Sequence, residues 1–298
     1  MGDRILVEAP KVARMVARQF PRWAHLPVTP VARSGWDNHT FHLGPAMKIR
    51  LPSAERYAAQ VEKENRHLPL LARSLPLPIP EPLGIGRPEA DFAWPWSVQS
   101  WIAGETASRE RIADMASFGR DLGLFLSALQ RVDARQGPPA ETHNFHRGGD
   151  LAVYDAEAQR CIAALGGRID GPAALAVWQE ALVSRWTEPP VWVHGDIAVG
   201  NLLVREGRLS AVIDFGSCGT GDPACDLVIA WLFLDGPGRV AFRSALPHDA
   251  ATWARARGWT LWKAALMAAQ DQGGHPEEQP PLLVIEALIA EHRGLARP

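Results

Sequence analysis

The sequence predicts an α+β chain of two lobes. A small β-rich lobe runs to about residue 99, a linker follows over 100–104, and a larger, mainly helical lobe covers 105–298. Three observations predict this. Before residue 52, short runs of strand-forming residues alternate with turns containing Gly, Asn and Pro. Beyond Gly104, apolar residues recur at helical spacing. Inside the helical lobe a single stretch returns to strands, VWVHGDIAVGNLLVREGRLSAVIDFG from Val191 to Gly216. Its two apolar runs, 202–204 and 209–213, are joined by Glu206-Gly207-Arg208 and read as a hairpin. Asp196 and Asn201 precede the first run and Asp214 follows the second, so polar groups fall at loop ends beside strands.

Taken in order, residues 9–20 predict a helix with Pro10 near its start and Val12, Met15, Val16 and Phe20 on one face. Residues 28–34, 39–43 and 46–51 read as strands, with turns at 35–38 and at Gly44-Pro45. Ser53 reads as the cap of a helix that runs to about Ala72. The proline alternation LPLPIPEP over 75–82 reads as an extended connector. Residues 91–104 supply a last strand and then a turn at Gly104. A long amphipathic helix is predicted over 109–132, a polar loop over 136–150, and shorter helices over about 151–165 and 172–187. Asp222 with Pro223 behind it is a helix start, ATWARARGWTLWKAALMAAQ is the clearest later helix, and a final helix spans about 281–293.

The pattern His194-x-Asp196-x-x-x-x-Asn201, followed by Asp214-Phe215-Gly216, is the set that protein kinases use for phosphoryl transfer. In that arrangement Asp196 is the catalytic residue that takes the proton of an acceptor hydroxyl. Asn201 and Asp214 supply oxygen ligands to Mg²⁺, a hard cation that suits them. The wording departs from a protein kinase at Gly195, where those enzymes carry Arg, and no A-P-E follows. HGD-x-x-x-x-N-x-L, then V-I-D-F-G and G-D-P-A-x-D-L, resembles instead the aminoglycoside phosphotransferase family, small-molecule kinases of the protein-kinase-like fold. Ala198-Val199 stands where relatives often have His-Pro.

The resemblance implies further roles. A turn similar to Ser34-Gly35-Trp36-Asp37-Asn38 contacts the nucleotide in the family, which assigns Ser34 and Gly35 to nucleotide binding. Lys48 and Arg50 share one strand face, because strand side chains repeat every second residue. The R-L-P wording favours Arg50 as the phosphate-holding cation, with Lys48 the alternative. Glu64, in K-E-x-x-x-L, is the expected partner of that cation. Backbone near Ser100 and Ile102 is expected to meet the adenine. His194, Asp222 and Asp226 are expected to support the catalytic loop, Asp226 by accepting backbone N–H bonds.

Composition narrows the classes. With 31 basic and 33 acidic residues the net charge is −2, which gives no basic footprint for nucleic acid. No run of about 18 apolar residues or signal-like start occurs, so no membrane partner is expected. Cys161, Cys218 and Cys225 form no CxxC pair, and a reduced cytoplasm is the expected compartment. His143, His146 and Asp150 read as loop residues and not as a metal cluster.

The expected reaction moves the γ-phosphoryl of ATP (or GTP) to a small hydroxylated acceptor, aminoglycoside-like by resemblance, in a monomer or homodimer. Asp271, Glu277 and Glu278 are candidates to attract a polycationic acceptor, though Glu277 and Glu278 are expected to be mostly solvent-exposed. A metabolic kinase for an amino alcohol or sugar, a macrolide kinase and a non-catalytic nucleotide binder remain alternatives.

Overall fold

A computed structural model describes residues 6–32, 35–271 and 275–294. The chain is mixed α/β, with a sheet in the N-terminal region and a helical C-terminal region. It divides into two units. The first holds the residues up to Ala103 together with Val212–Ser217, and the second holds 104–211 and 218 onward.

In the first unit a five-stranded antiparallel sheet has the order β1-β2-β3-β5-β4. Its strands are β1 (Val28–Pro30), β2 (Asn38–Leu43), β3 (Met47–Pro52), β4 (Pro82–Gly86) and β5 (Trp96–Ser100). The pairings Phe41↔Ile49 and Ile49↔Val98 put a single apolar row on one face, since neighbours across strands share a side. That row joins Val12, Met15 and Val16 of helix α1 (Ala9–Gln19) in a buried cluster. The other face carries Lys48 and Arg50 with their cross-strand partners His42, Thr40, Gln99 and Ser97. Helix α2 (Ala58–Leu71) packs against β4, β5 and the turn Phe215–Ser217, burying Val61, Glu64, Leu68 and Leu71 at helical spacing.

Several expectations change here. Strand β1 stops at Pro30, short of 34. Ser53 does not cap α2, which follows a 3₁₀ turn at Glu55–Tyr57 and has Tyr57 at its cap position. Ser53 instead donates its Oγ hydrogen to Trp36 O at 2.8 Å and its N–H to Asp37 O at 2.8 Å. The connector ends in strand β4, whose Pro82, Gly84 and Gly86 hid it. An edge strand tolerates such residues. Gly86 is required there, because a Cβ would lie 1.9 Å from the Trp96 ring.

The second unit contains a three-stranded sheet of β6 (Glu105–Thr106), β8 (Leu202–Arg205) and β9 (Arg208–Val212), in the order β6-β8-β9. The ribbon of β7 (Val191–Val193) and β10 (Gly219–Gly221) is antiparallel. Helix α3 (Met115–Gln130) begins at Asp114, whose carboxylate accepts from Ala116 and Ser117 N–H, later than the expected start at 109. Gly119 and Gly123 let α3 approach α7 (Gly236–Ser244) closely. Helix α8 (Ala250–Ala269) is buried on most sides, against α4 (Asp155–Leu165), α5 (Gly171–Val183) and α9 (Pro281–His292). The short α6 (Ile229–Leu232) completes the unit. Among the described residues no helix is long and apolar enough to cross a membrane, and the three cysteines are unpaired.

Candidate active site

In the first unit, the polar face of β3 meets α2 and the Asp214 turn. Arg50 donates through Nη1 to both Glu64 oxygens, at 2.6 and 2.8 Å, and through Nη2 to Asp214 Oδ1 at 2.5 Å. Gln99 Nε2 also donates to Glu64 Oε2, at 2.8 Å. Arg50 and Glu64 are buried, whereas the Asp214 side chain is 32% exposed. Burial alone would lower the Arg50 pKa, but the charges of Glu64 and Asp214 outweigh it and raise it. Lys48, on the same face, is lowered to about 8, first by burial and then by the Arg50 charge.

Asp214 has φ 67°, a left-handed conformation that Asp tolerates better than most residues. A Cβ on Gly216 behind it would lie 2.7 Å from Gln60 Oε1, so the end of the Gln60 side chain would have to shift to admit one. Gln60 Nε2 in turn donates to Asp37 Oδ2 at 3.2 Å. Ser34 lies outside the described residues, and Gly35 is exposed. The Ser100 N–H donates to Glu81 O at 2.8 Å, and its Oγ accepts from Glu81 N–H at 3.0 Å. Ile102 is half-buried after β5.

In the second unit, β7 delivers His194-Gly195-Asp196 from a buried ribbon to the surface. Gly195 has φ 81°, which favours glycine. Asp226 accepts from His194 N–H at 2.7 Å and from Gly195 N–H at 2.8 Å, and is itself 1% exposed. Burial pushes its carboxyl pKa up while those bonds oppose the rise. The Asp196 N–H donates to His194 Nδ1 at 3.2 Å. A 3₁₀ turn at Val199–Asn201 then folds Asn201 back. Its Nδ2 donates to Asp196 O at 2.9 Å and to Asp196 Oδ2 at 3.0 Å. Asp196 is exposed and Asn201 half-buried. Because the Asn201 amide nitrogen faces Asp196, its Oδ1 is the end left for a cation. An amide oxygen is a ligand that suits Mg²⁺.

Asp222 caps the 3₁₀ turn Pro223–Val228 by accepting from Ala224 N–H at 3.1 Å. It also accepts from Arg255 Nε at 2.6 Å, both side chains being buried. Arg255 had no local signal in the sequence, nor did Gln60, and Ser53 was singled out only as a helix cap. Gln99 could have been found by carrying the two-residue period of β3 across to β5.

The acceptor-side expectations change most. Glu277 accepts from Arg109 N–H at 2.9 Å. Glu278 pairs with Lys263 at 3.4 Å, and its side chain is 3% exposed, contrary to the expected solvent exposure. The reason is that the segment folds back, with Gln279 N–H on Leu232 O at 2.6 Å. Asp271 is exposed, near Arg168. No group of three or more His, Cys, Asp or Glu among the described residues could hold a metal, and His143 Nε2 lies 2.9 Å from Pro139 O.

A profile described as the phosphotransferase enzyme family matches residues 28–259. No curated protein matches the chain. Among solved structures, the chain is similar to the GDP complex of wild-type aminoglycoside 2'-phosphotransferase-IIIa, at 18% identity and TM-score 0.66, over 96% of this chain and 100% of that one. The streptomycin–ATP ternary complex of APH(2")-IIa gives 16% and 0.62, over 96% and 97%. Macrolide 2'-phosphotransferase MphH from Brachybacterium faecium gives 20% and 0.57, over 96% and 98%.

Proposed function

The chain belongs to the phosphotransferase enzyme family, and we propose that this small-molecule phosphotransferase moves the γ-phosphoryl of ATP or GTP to an acceptor hydroxyl. The observation that carries the reading is the held loop. Asp196 is exposed while Asn201 bonds it twice and Asp226 fixes the backbone behind it. A carboxylate so oriented can accept the acceptor's hydroxyl proton. The freed oxygen forms a bond to the γ-phosphorus as the bond to the bridging oxygen breaks, and the electron pair leaves with the nucleoside diphosphate. Positioning and charge do most of this work, since the transition state needs little covalent help. Bound Mg²⁺ would neutralise phosphate charge, with Asn201 and Asp214 as its protein ligands. By resemblance, the backbone near Ser100 and Ile102 would meet the nucleobase, and Ser34 and Gly35 would contact the nucleotide.

An aminoglycoside-like acceptor is supported by the kanamycin and streptomycin complexes of similar structures. A less cationic, macrolide-type acceptor is the second reading. It is favoured because Glu277 and Glu278 are engaged within the chain and so are poorly placed to attract a polycation. The test incubates the protein with ATP or GTP, Mg²⁺ and separate pools of aminoglycosides, macrolides, amino alcohols and sugars. A phosphate monoester in one pool, found by phosphorus NMR, supports the reading and names the acceptor class. Nucleotide binding without any monoester would favour a non-catalytic binder.

A further inference from the structure

Between Asp196 and Asn201 the catalytic loop reads Ile197-Ala198-Val199-Gly200 and carries no polar side chain. The loop can take a proton at Asp196, but its own amide nitrogen, on Asn201, is already engaged with Asp196. A side-chain donor for the acceptor must come from elsewhere. Within the same unit, His275 turns the ring edge that holds Cδ2 and Nε2 towards Gly200. A methyl group added at Gly200 would meet Cδ2 at 3.7 Å and Nε2 at 4.0 Å, which is van der Waals contact. Both residues are half-buried, so neither is closed off from a ligand beside the loop.

The His275 ring is held in place. Its Nδ1 accepts from Glu277 N–H at 3.3 Å, and its carbonyl accepts from Glu278 N–H at 2.8 Å. The segment is then tied down by Glu277 on Arg109 N–H, by Glu278 on Lys263 and by Gln279 N–H on Leu232 O. A backbone N–H brings its own proton, so Nδ1 is bare and the neutral ring carries its hydrogen on Nε2. Among the described residues that Nε2 makes no hydrogen bond.

We infer that His275 is an acceptor-binding residue whose Nε2–H donates to an oxygen beside the hydroxyl that receives the phosphoryl group, so that the acceptor is a sugar or glycoside and not a simple amino alcohol. The inference rests on the phosphotransferase reading above and deepens it. An N–H donor needs a lone pair. A neighbouring hydroxyl or ether oxygen supplies one in a sugar ring, whereas the ammonium beside an amino alcohol's hydroxyl has none to give. Because the imidazole is already fixed, little rotamer freedom is lost when the acceptor binds. The hydroxyl proton still goes to Asp196, and His275 takes no part in the transfer.

The experiment measures steady-state rates with ATP and Mg²⁺ for wild type, His275→Leu and His275→Gln. Kanamycin, erythromycin, glucose and choline serve as separate acceptors, and ADP titrations and melting temperatures are taken for each protein. Wild type should turn over at least one of the first three and leave choline untouched. On that acceptor His275→Leu should raise KM by about 3- to 10-fold, as for loss of a neutral hydrogen bond, at unchanged kcat, ADP affinity and melting temperature. His275→Gln keeps an N–H donor and should hold KM within about twofold. A fall in kcat at unchanged KM in His275→Leu would make the ring a brace for the loop and overturn the inference. Wild-type kinetics in His275→Leu, or turnover of choline alone, would overturn it too. If wild type phosphorylates none of the four nor any pooled acceptor, the phosphotransferase reading itself fails.

Discussion

At the residue scale, charge balance decides what each side chain can do. Lys48 holds its pKa near 8, against 10.5 for a free lysine, by burial first and by Arg50 second. A lowered amine pKa means the folded protein binds fewer protons than the unfolded chain between about pH 8 and 10.5, so stability rises with pH across that window. Below it the charged form costs the fold up to roughly 3 kcal/mol. Lys48→Met should therefore be more stable than wild type at pH 7, by as much as that, and the gap should close towards pH 10.5. Urea melts at both pH values check it, and a gap that widens with pH would contradict it. Asn201→Ala removes both bonds to Asp196 and is expected to lower kcat by about tenfold or more, with a raised Mg²⁺ requirement. Steady-state rates over a Mg²⁺ series decide this.

At the element scale, the catalytic loop is supported from behind. The turn Pro223–Val228 carries Asp226 to the loop's backbone, and its cap Asp222 is fixed by Arg255 from α8. Arg255→Met leaves Asp222 buried without its cation, and the expected loss is about 3–5 kcal/mol, read from denaturant midpoints. A loss below about 1 kcal/mol would mean that Asp222 is held by its cap alone. Gly195→Ala acts on the same loop through backbone strain. At φ 81° an added Cβ should cost about 1–2 kcal/mol and lower turnover. Much of this support was legible in the sequence. Asp222-Pro223 announced a cap, and His194, Asp196, Asn201 and Asp214 stood at spacings that chemistry recognises. Arg255 was not legible, because an arginine on a buried helix face has no local pattern and its partner lies 33 residues away.

At the scale of the whole molecule, alternation and helical periodicity foretold a sheet-bearing N-terminal region and a helical C-terminal one. Edges and ends were less visible. Strand β4 was hidden by Pro82 and two glycines, and the true start of α3 lay at a cap inside the expected helix, at Asp114 and not near 109. The acidic residues near the C-terminus looked like a lure for a polycation because sequence gives no sign of which carboxylates fold back onto Lys263 and the Arg109 backbone. The broad helix and strand periods came through. What depended on long-range partners did not.

The central claim is that Asp196 drives phosphoryl transfer from a nucleotide to a small-molecule hydroxyl. Its most direct test is acceptor-dependent ADP release by wild type and by Asp196→Asn, side by side with ADP titrations of both. The account predicts turnover in wild type, a fall of about 10²- to 10⁴-fold in the variant, and equal ADP affinity in the two. Turnover that survives in Asp196→Asn at the wild-type rate would contradict it.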